Sequence, residues 1–278
     1  MKSWLGGIEP AWRLLDHASL RALRRPPSPT EGPIRLASNL TPSEIRQSAV
    51  ARNALVLLNA AEARSGLKLT ATGNLSRAVV AEMIGLFTWP DFDWEDQAWV
   101  HKVVNELDFQ PLYVVHQIAG AARLLRKYKG QLKVTSTGRR FLDGPHQPAL
   151  QAVLFHVALW YLDMWPFVDR HGGWPQYDVG IVLWSLSVAA NDWQPPDRLT
   201  RLCTIPIDSV LESQWDTGTW VMEARILRPL LWFGLLELRR DEDPENRIAG
   251  RQFYRKTALF DRFLSFDVKH ETAEGPRH

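Results

Sequence analysis

The sequence predicts a mainly α protein built as a winged helix-turn-helix with a small β-wing, in two such modules in tandem. Three observations lead there. The phrase "GLKLTATGNL" at Gly66 comes round again at Leu132 as "LKVTSTGRRF", with Leu67/Leu132, Lys68/Lys133, Thr70/Thr135, Thr72/Thr137 and Gly73/Gly138 identical. Between the copies lie two apolar-striped helical patterns and a tight basic hairpin, "LRKYKGQLKVT". The second half runs through long apolar helices into a further hairpin-like stretch and a closing helix. Helix, short strand, helix, helix, hairpin is the winged-helix order, in which the first short strand pairs with the last strand of the wing. The repeated phrase is therefore expected to be two partner strands of one sheet.

Residues 1–40 read as an arm, with a helix around Trp12 to Leu23 and then "RRPPSPTEGP", whose prolines and glycine cannot continue a helix and make a linker. Arg21, Arg24 and Arg25 have two readings: a basic arm that reaches nucleic acid, or a docked helix with solvated arginines. The module at 41–146 opens on "TPSE", a capping box in which Thr41 and Glu44 exchange hydrogen bonds and Pro42 takes the first helical position. That helix runs to about Ala63, and Ser65-Gly66 gives it a left-handed stop. After the strand "LKLT", Asn74 or Ser76 caps "LSRAVVAEMIGLF", with Val79, Val80, Met83 and Ile84 as its apolar stripe. An acidic, aromatic excursion, "TWPDFDWEDQAW", precedes the third helix, "PLYVVHQIAGAARLL", whose inward face is Leu112, Val115, Ala119 and Ala122. Gly130 marks the hairpin tip.

Residues 147–278 form a tryptophan-rich second module of similar order. "ALQAVLFHVALWYLDMW" and "PQYDVGIVLWSLSVAA" are apolar helices, and "TWVMEARILRPLLWFGLLELRR" leads through "DEDPENRIAG" to "RQFYRKTALFDRFLSF". Pro229 is expected to kink the third helix.

The run from "LKLTATGNLSRAVVAEM" through "LDFQPLYVVHQIAGAARLLRKYKGQLKVTSTGRRFLDGP" resembles a region towards the C-terminus of some proteins of the Ri-plasmid open-reading-frame-three family, which are associated with plasmids and mobile elements. The resemblance covers residues 66–145. It implies a winged-helix-like unit and a mobile-element setting; nothing here matches the other domain of that family.

Charge is unevenly shared. Residues 1–146 hold 19 Lys and Arg against 13 Asp and Glu, whereas residues 147–278 hold 14 against 18. The basic density peaks at "RLLRKYKGQLKVTSTGRR", with seven basic residues and no acid. On a winged helix, His116, Gln117 and Arg123 of the third helix would reach base edges, and Arg126, Lys127, Lys129 and Lys133 of the wing would hold phosphates, with Arg139 and Arg140 extending the basic stretch. Such a surface gives backbone affinity with little sequence readout, so duplex DNA is the expected partner. The competing reading is a solvated basic wing in a protein-interaction module with no DNA contact. Asp241, Glu242, Asp243 and Glu245 of the second wing would repel phosphate, which points residues 147–278 towards a protein partner or self-association.

Other chemistry finds no support. One cysteine, Cys203, excludes an internal disulfide and a cysteine zinc cluster, and a reducing cytoplasm fits. The most apolar stretch is broken by His156, Asp163 and Pro166, so no membrane span is expected. "DFDWED" begins like a calcium loop, but Asp96 stands where glycine is needed and Lys102 where glutamate is needed. His156, Asp163, Asp169 and His171 match no metal motif, and no nucleophile elbow, phosphate loop or dinucleotide fingerprint is present. No cofactor and no catalysis are expected. Of the thirteen tryptophans, Trp160, Trp165, Trp184 and Trp232 read as core or interface anchors.

Overall fold

Residues before Ser38 do not stand apart as an arm. The computed structural model describes residues 2–28, 32–92, 94, 104–142, 144–164, 171–213, 216–241 and 250–269. In it, α1 (Lys2–Leu5) and a 3-10 turn (Ala11–Leu14) lead to Asp16, which accepts from the Ser19 amide at 2.7 Å and caps α2 (His17–Leu23). Strand β1 (Ile34–Leu36) then pairs antiparallel with the last described strand, Leu264–Phe266. Leu23 and Ile34 are fully buried, and hiding such side chains stabilises by about 1.5–3 kcal/mol each, which a free arm would forgo. Contacts thus divide the chain into a central unit, Ser38–Ala158, and an outer unit made of residues up to Ala37 and from Leu159 onward. The boundary expected at 146/147 lies later because the Leu40 amide donates to the Pro148 carbonyl at 3.3 Å, holding residues 144–149 to the central unit.

In the central unit Thr41 and Glu44 form the capping box of α3 (Pro42–Gln47). The helix stops there because the Ser48 amide turns back to Ile45 while the Ser48 hydroxyl accepts from Ala51, so Ser48 caps a separate helix, α4 (Ala49–Ala63). Thr41→Ala should lower the stability of this unit by about 1 kcal/mol, read as a lower denaturation midpoint at unchanged slope. Val50, Ala54, Leu57, Leu58 and Ala61 bury one face of α4. Ser65 at φ 57° and Gly66 at φ 134° end it as expected.

Next come β2 (Leu67–Lys68), α5 (Arg77–Leu86), α6 (Gln110–Ala121) with Pro111 in its first turn, and a hairpin of β3 (Leu125–Tyr128) and β4 (Gln131–Val134). Lys129 and Gly130 join the two strands with φ of 47° and 70°, the paired positive values of a type I′ turn. The sheet order is β2-β4-β3, with Leu67 opposite Leu132 and Lys68 opposite Gln131. The two copies of the phrase are partners, though the paired segment of the first is two residues long because Leu69 already bridges to Leu75. Helix α7 (Ser136–Leu142), a 3-10 stretch (Gly144–Ala149) and α8 (Leu150–Trp160) follow. Most of the acidic excursion, Asp93 and residues 95–103, lies outside the described residues.

The outer unit continues with α9 (Val179–Ala189), α10 (Pro196–Cys203), α11 (Asp208–Leu211), α12 (Thr217–Met222), a π-helical stretch (Glu223–Leu227) and α13 (Arg228–Trp232). Then come β5 (Leu236–Asp241), β6 (Arg251–Lys256), α14 (Ala258–Phe263) and β7 (Leu264–Phe266). At Pro229, where a kink is expected, the α register gives way to the π stretch just before it, and the proline sits in the first turn of α13, where its missing amide leaves no bond unmade. Trp184 and Trp232 are buried, as their place on apolar helices implies, while Trp165 lies outside the described residues.

Identical bonds close the two hairpins. Thr135 donates its amide to Leu124 and its hydroxyl to Arg123 and Leu124; Thr257 donates its amide to Leu235 and its hydroxyl to Gly234 and Leu235. Gln194 and Tyr254 bridge ahead of α10 as Leu67 and Leu132 pair ahead of α5. Among the described residues the fold is mainly helical with three small antiparallel sheets, and no helix is long and apolar enough to cross a membrane.

Candidate nucleic-acid interface

Alternation along the β3–β4 hairpin sorts its side chains. Leu125, Leu132 and Val134 turn inward and are buried, whereas Arg126, Tyr128, Gln131 and Lys133 share the outer face, with Arg126 opposite Lys133 and Tyr128 opposite Gln131. Arg126 and Lys129 stand 5.4 Å from the centre of the Tyr128 ring, and Lys133 stands 5.8 Å away. Lys127 leaves the other face near the strand edge, its ammonium over Gly73. Among the described residues none of these four cations has an acidic partner. Four uncompensated charges on one short hairpin set up a local positive potential suited to an incoming anion.

The third helix departs from expectation. His116 does not face outward: it is 3% exposed, and its Nδ1 is 2.5 Å from the Glu106 carboxylate, itself buried. Glu106 also accepts from the Leu75 amide at 2.5 Å and so ties the start of α5 to α6. His116 is thus a core residue, removed from any base edge by its partner. Gln117 and Arg123 are exposed as expected, but Arg123, at φ 57°, ends the helix and its carbonyl takes the Thr135 hydroxyl bond. Helix α6 therefore offers Gln117 and one terminal arginine, a thinner reading surface than the spacing implied.

Arg139 donates to Glu62 at 2.8 Å, and that carboxylate holds the guanidinium pKa above its ordinary value. Arg140 lies 3.3 Å from His146. Both remain exposed on α7, apart in chain and in bonding from the unpaired cations of the hairpin. Beside β2 a cleft of about 640 Å³ is lined by Lys68, Thr70, Asn74, Arg77 and Asn105, with Glu106 at its wall. Among the described residues no three His, Cys, Asp or Glu side chains gather as a metal group; Asp169 lies outside them. Burial pushes the Cys203 thiol far up, so it is no ready nucleophile.

Tyr128 is the residue the sequence pattern hid in plain view. Strand alternation puts it beside Arg126 and Lys133, a placement that only the pairing register shows. Of the acids expected to repel phosphate in the second hairpin only Asp241 is among the described residues, and the described strands also carry Arg239, Arg240, Arg251, Arg255 and Lys256 against Glu237. Arg239 and Arg255 lie 5.1 and 4.6 Å from the Trp193 ring, yet they pair with Asp241 and Glu237 respectively. Glu242, Asp243 and Glu245 lie outside the described residues.

Residues 46–147 match the model of the Y4jL N-terminal domain, a span that holds the capped α4, the sheet and the basic hairpin. Over 94 residues the chain is 38% identical to the uncharacterised protein y4jL of Sinorhizobium fredii (strain NBRC 101917 / NGR234), a stretch covering 34% of this chain and 43% of that protein. No solved structure matches. The likeness is to an N-terminal domain in the central part of this chain, and the region that carries it includes every cation of the candidate interface.

Proposed function

We propose that the chain is a winged-helix protein of regulatory or mobile-element type that binds duplex DNA through the Arg126 to Lys133 hairpin, without catalysis. The observation that carries this reading is a set of four cations, the exposed Arg126, Lys127 and Lys129 and the half-buried Lys133, with no acid among the described residues to neutralise them. The order α4, β2, α5, α6, hairpin, with β2 paired to the far strand of the hairpin, supports the winged-helix assignment. The matching bonds of Thr135 and Thr257 support a second module of the same kind in the outer unit. We assign that module to self-association or to a protein partner, because Arg239 and Arg255 already hold acidic partners and have less charge to give a phosphate. That same observation favours the second reading, a protein-interaction module with no DNA contact.

Binding of the full chain to a random-sequence duplex across a salt series separates the two. The wild type should bind at low salt with a steep negative slope, and Arg126→Glu, Lys127→Glu, Lys129→Glu together should flatten that slope by about 2–3. Absence of binding at low salt, or a triple variant that binds like wild type, would discard the DNA reading.

A further inference from the structure

Tyr128 is 46% exposed, one residue before the hairpin tip, on a face where every near neighbour is polar or charged. Packing does not explain it. Three cations stand within 6 Å of its ring centre, near the outer limit of cation–π attraction, and two are lysines on flexible stems. Like charges gathered around one ring repel each other, and the arrangement relaxes when an anion arrives. A nucleotide brings both complements: a phosphate for the cations and a flat base for the ring they vacate. A base inside an intact duplex already stacks on its neighbours and cannot cover a tyrosine face.

Resting on the DNA reading above, we propose that Tyr128 is a stacking platform for an unpaired base, so that the hairpin recognises the junction between duplex and single strand, with Arg126, Lys129 and Lys133 holding the flanking phosphates. The type I′ turn at Lys129 and Gly130 supports this, since a two-residue loop presents the end of the hairpin as a narrow edge that fits where a strand departs. Stacking of this kind tolerates any base and adds affinity without sequence preference.

The test uses the full chain and three fluorescent DNA probes of equal length: a blunt duplex, a forked duplex with unpaired ends, and a single strand. Wild type should bind the fork about tenfold or more tightly than the blunt duplex. Tyr128→Leu should bring that ratio close to one, while Tyr128→Phe should keep most of it; matched thermal melts show that both variants fold. Equal wild-type affinity for fork and blunt duplex overturns the inference while leaving the DNA reading in place. A fork preference that persists in Tyr128→Leu overturns the role given to Tyr128. No binding to any probe sinks both.

Discussion

Gly138→Ala should destabilise the central unit by about 3 kcal/mol, at the upper end of what a single added methyl costs in a packed interior. A Cβ at Gly138 would lie 2.3 Å from the Leu124 carbonyl oxygen and 2.9 Å from Val134 Cγ1. The carbonyl cannot retreat cheaply, because it accepts both the amide and the hydroxyl of Thr135, the bonds that fasten α7 to the hairpin. The expected readout is a melting temperature lower by roughly 10 °C or more. Its counterpart in the repeated phrase, Gly73, is a control: at φ 81° it adopts a conformation that costs other residues about 1–2 kcal/mol, and its nearest neighbour is the flexible end of Lys127. If Gly138→Ala melted like wild type, α7 would not sit against Leu124 as described.

Glu106→Ala is expected to cost about 3–5 kcal/mol, since it strips a buried partner from His116 and leaves the Leu75 amide without its acceptor in one step. Glu106→Gln keeps an oxygen for the amide and should restore part of that loss. Urea denaturation followed by circular dichroism measures both; a cost below about 1 kcal/mol for the alanine variant would mean that water replaces the carboxylate in that place. The two substitutions probe different seams: Gly138 lies where α7 meets the hairpin, and Glu106 lies where the start of α5 meets α6.

Local features of this fold were legible from sequence. The Thr41–Glu44 box needs residues three apart, and the Leu67/Leu132 pairing declares itself by alternation and repetition. The outward place of Arg126 and Lys133 on the hairpin follows from the same alternation. His116 was misplaced because helical spacing fixes its angular position but not what packs there, and Glu106 arrives from a 3-10 turn outside the helix. Of the two readings of the N-terminal stretch, the docked helix is the one that agrees with the buried Leu23; its strand anchor was not legible, because three residues are too short for a periodic signal and the partner strand lies at Leu264–Phe266. The second hairpin's character depends on Trp193, which reaches Arg239 and Arg255 across the sheet and not along the sequence.

The pairing of β1 with β7 joins residues roughly 230 apart in sequence, with the whole of Ser38–Ala158 lying between them in the chain. A ribosome delivers the whole of Ser38–Ala158, the segment that carries the β3–β4 hairpin, before it delivers Leu264. Ile34 and Leu36 have to wait for Leu264–Phe266, and pairing them closes a loop whose entropic cost grows only slowly with its length.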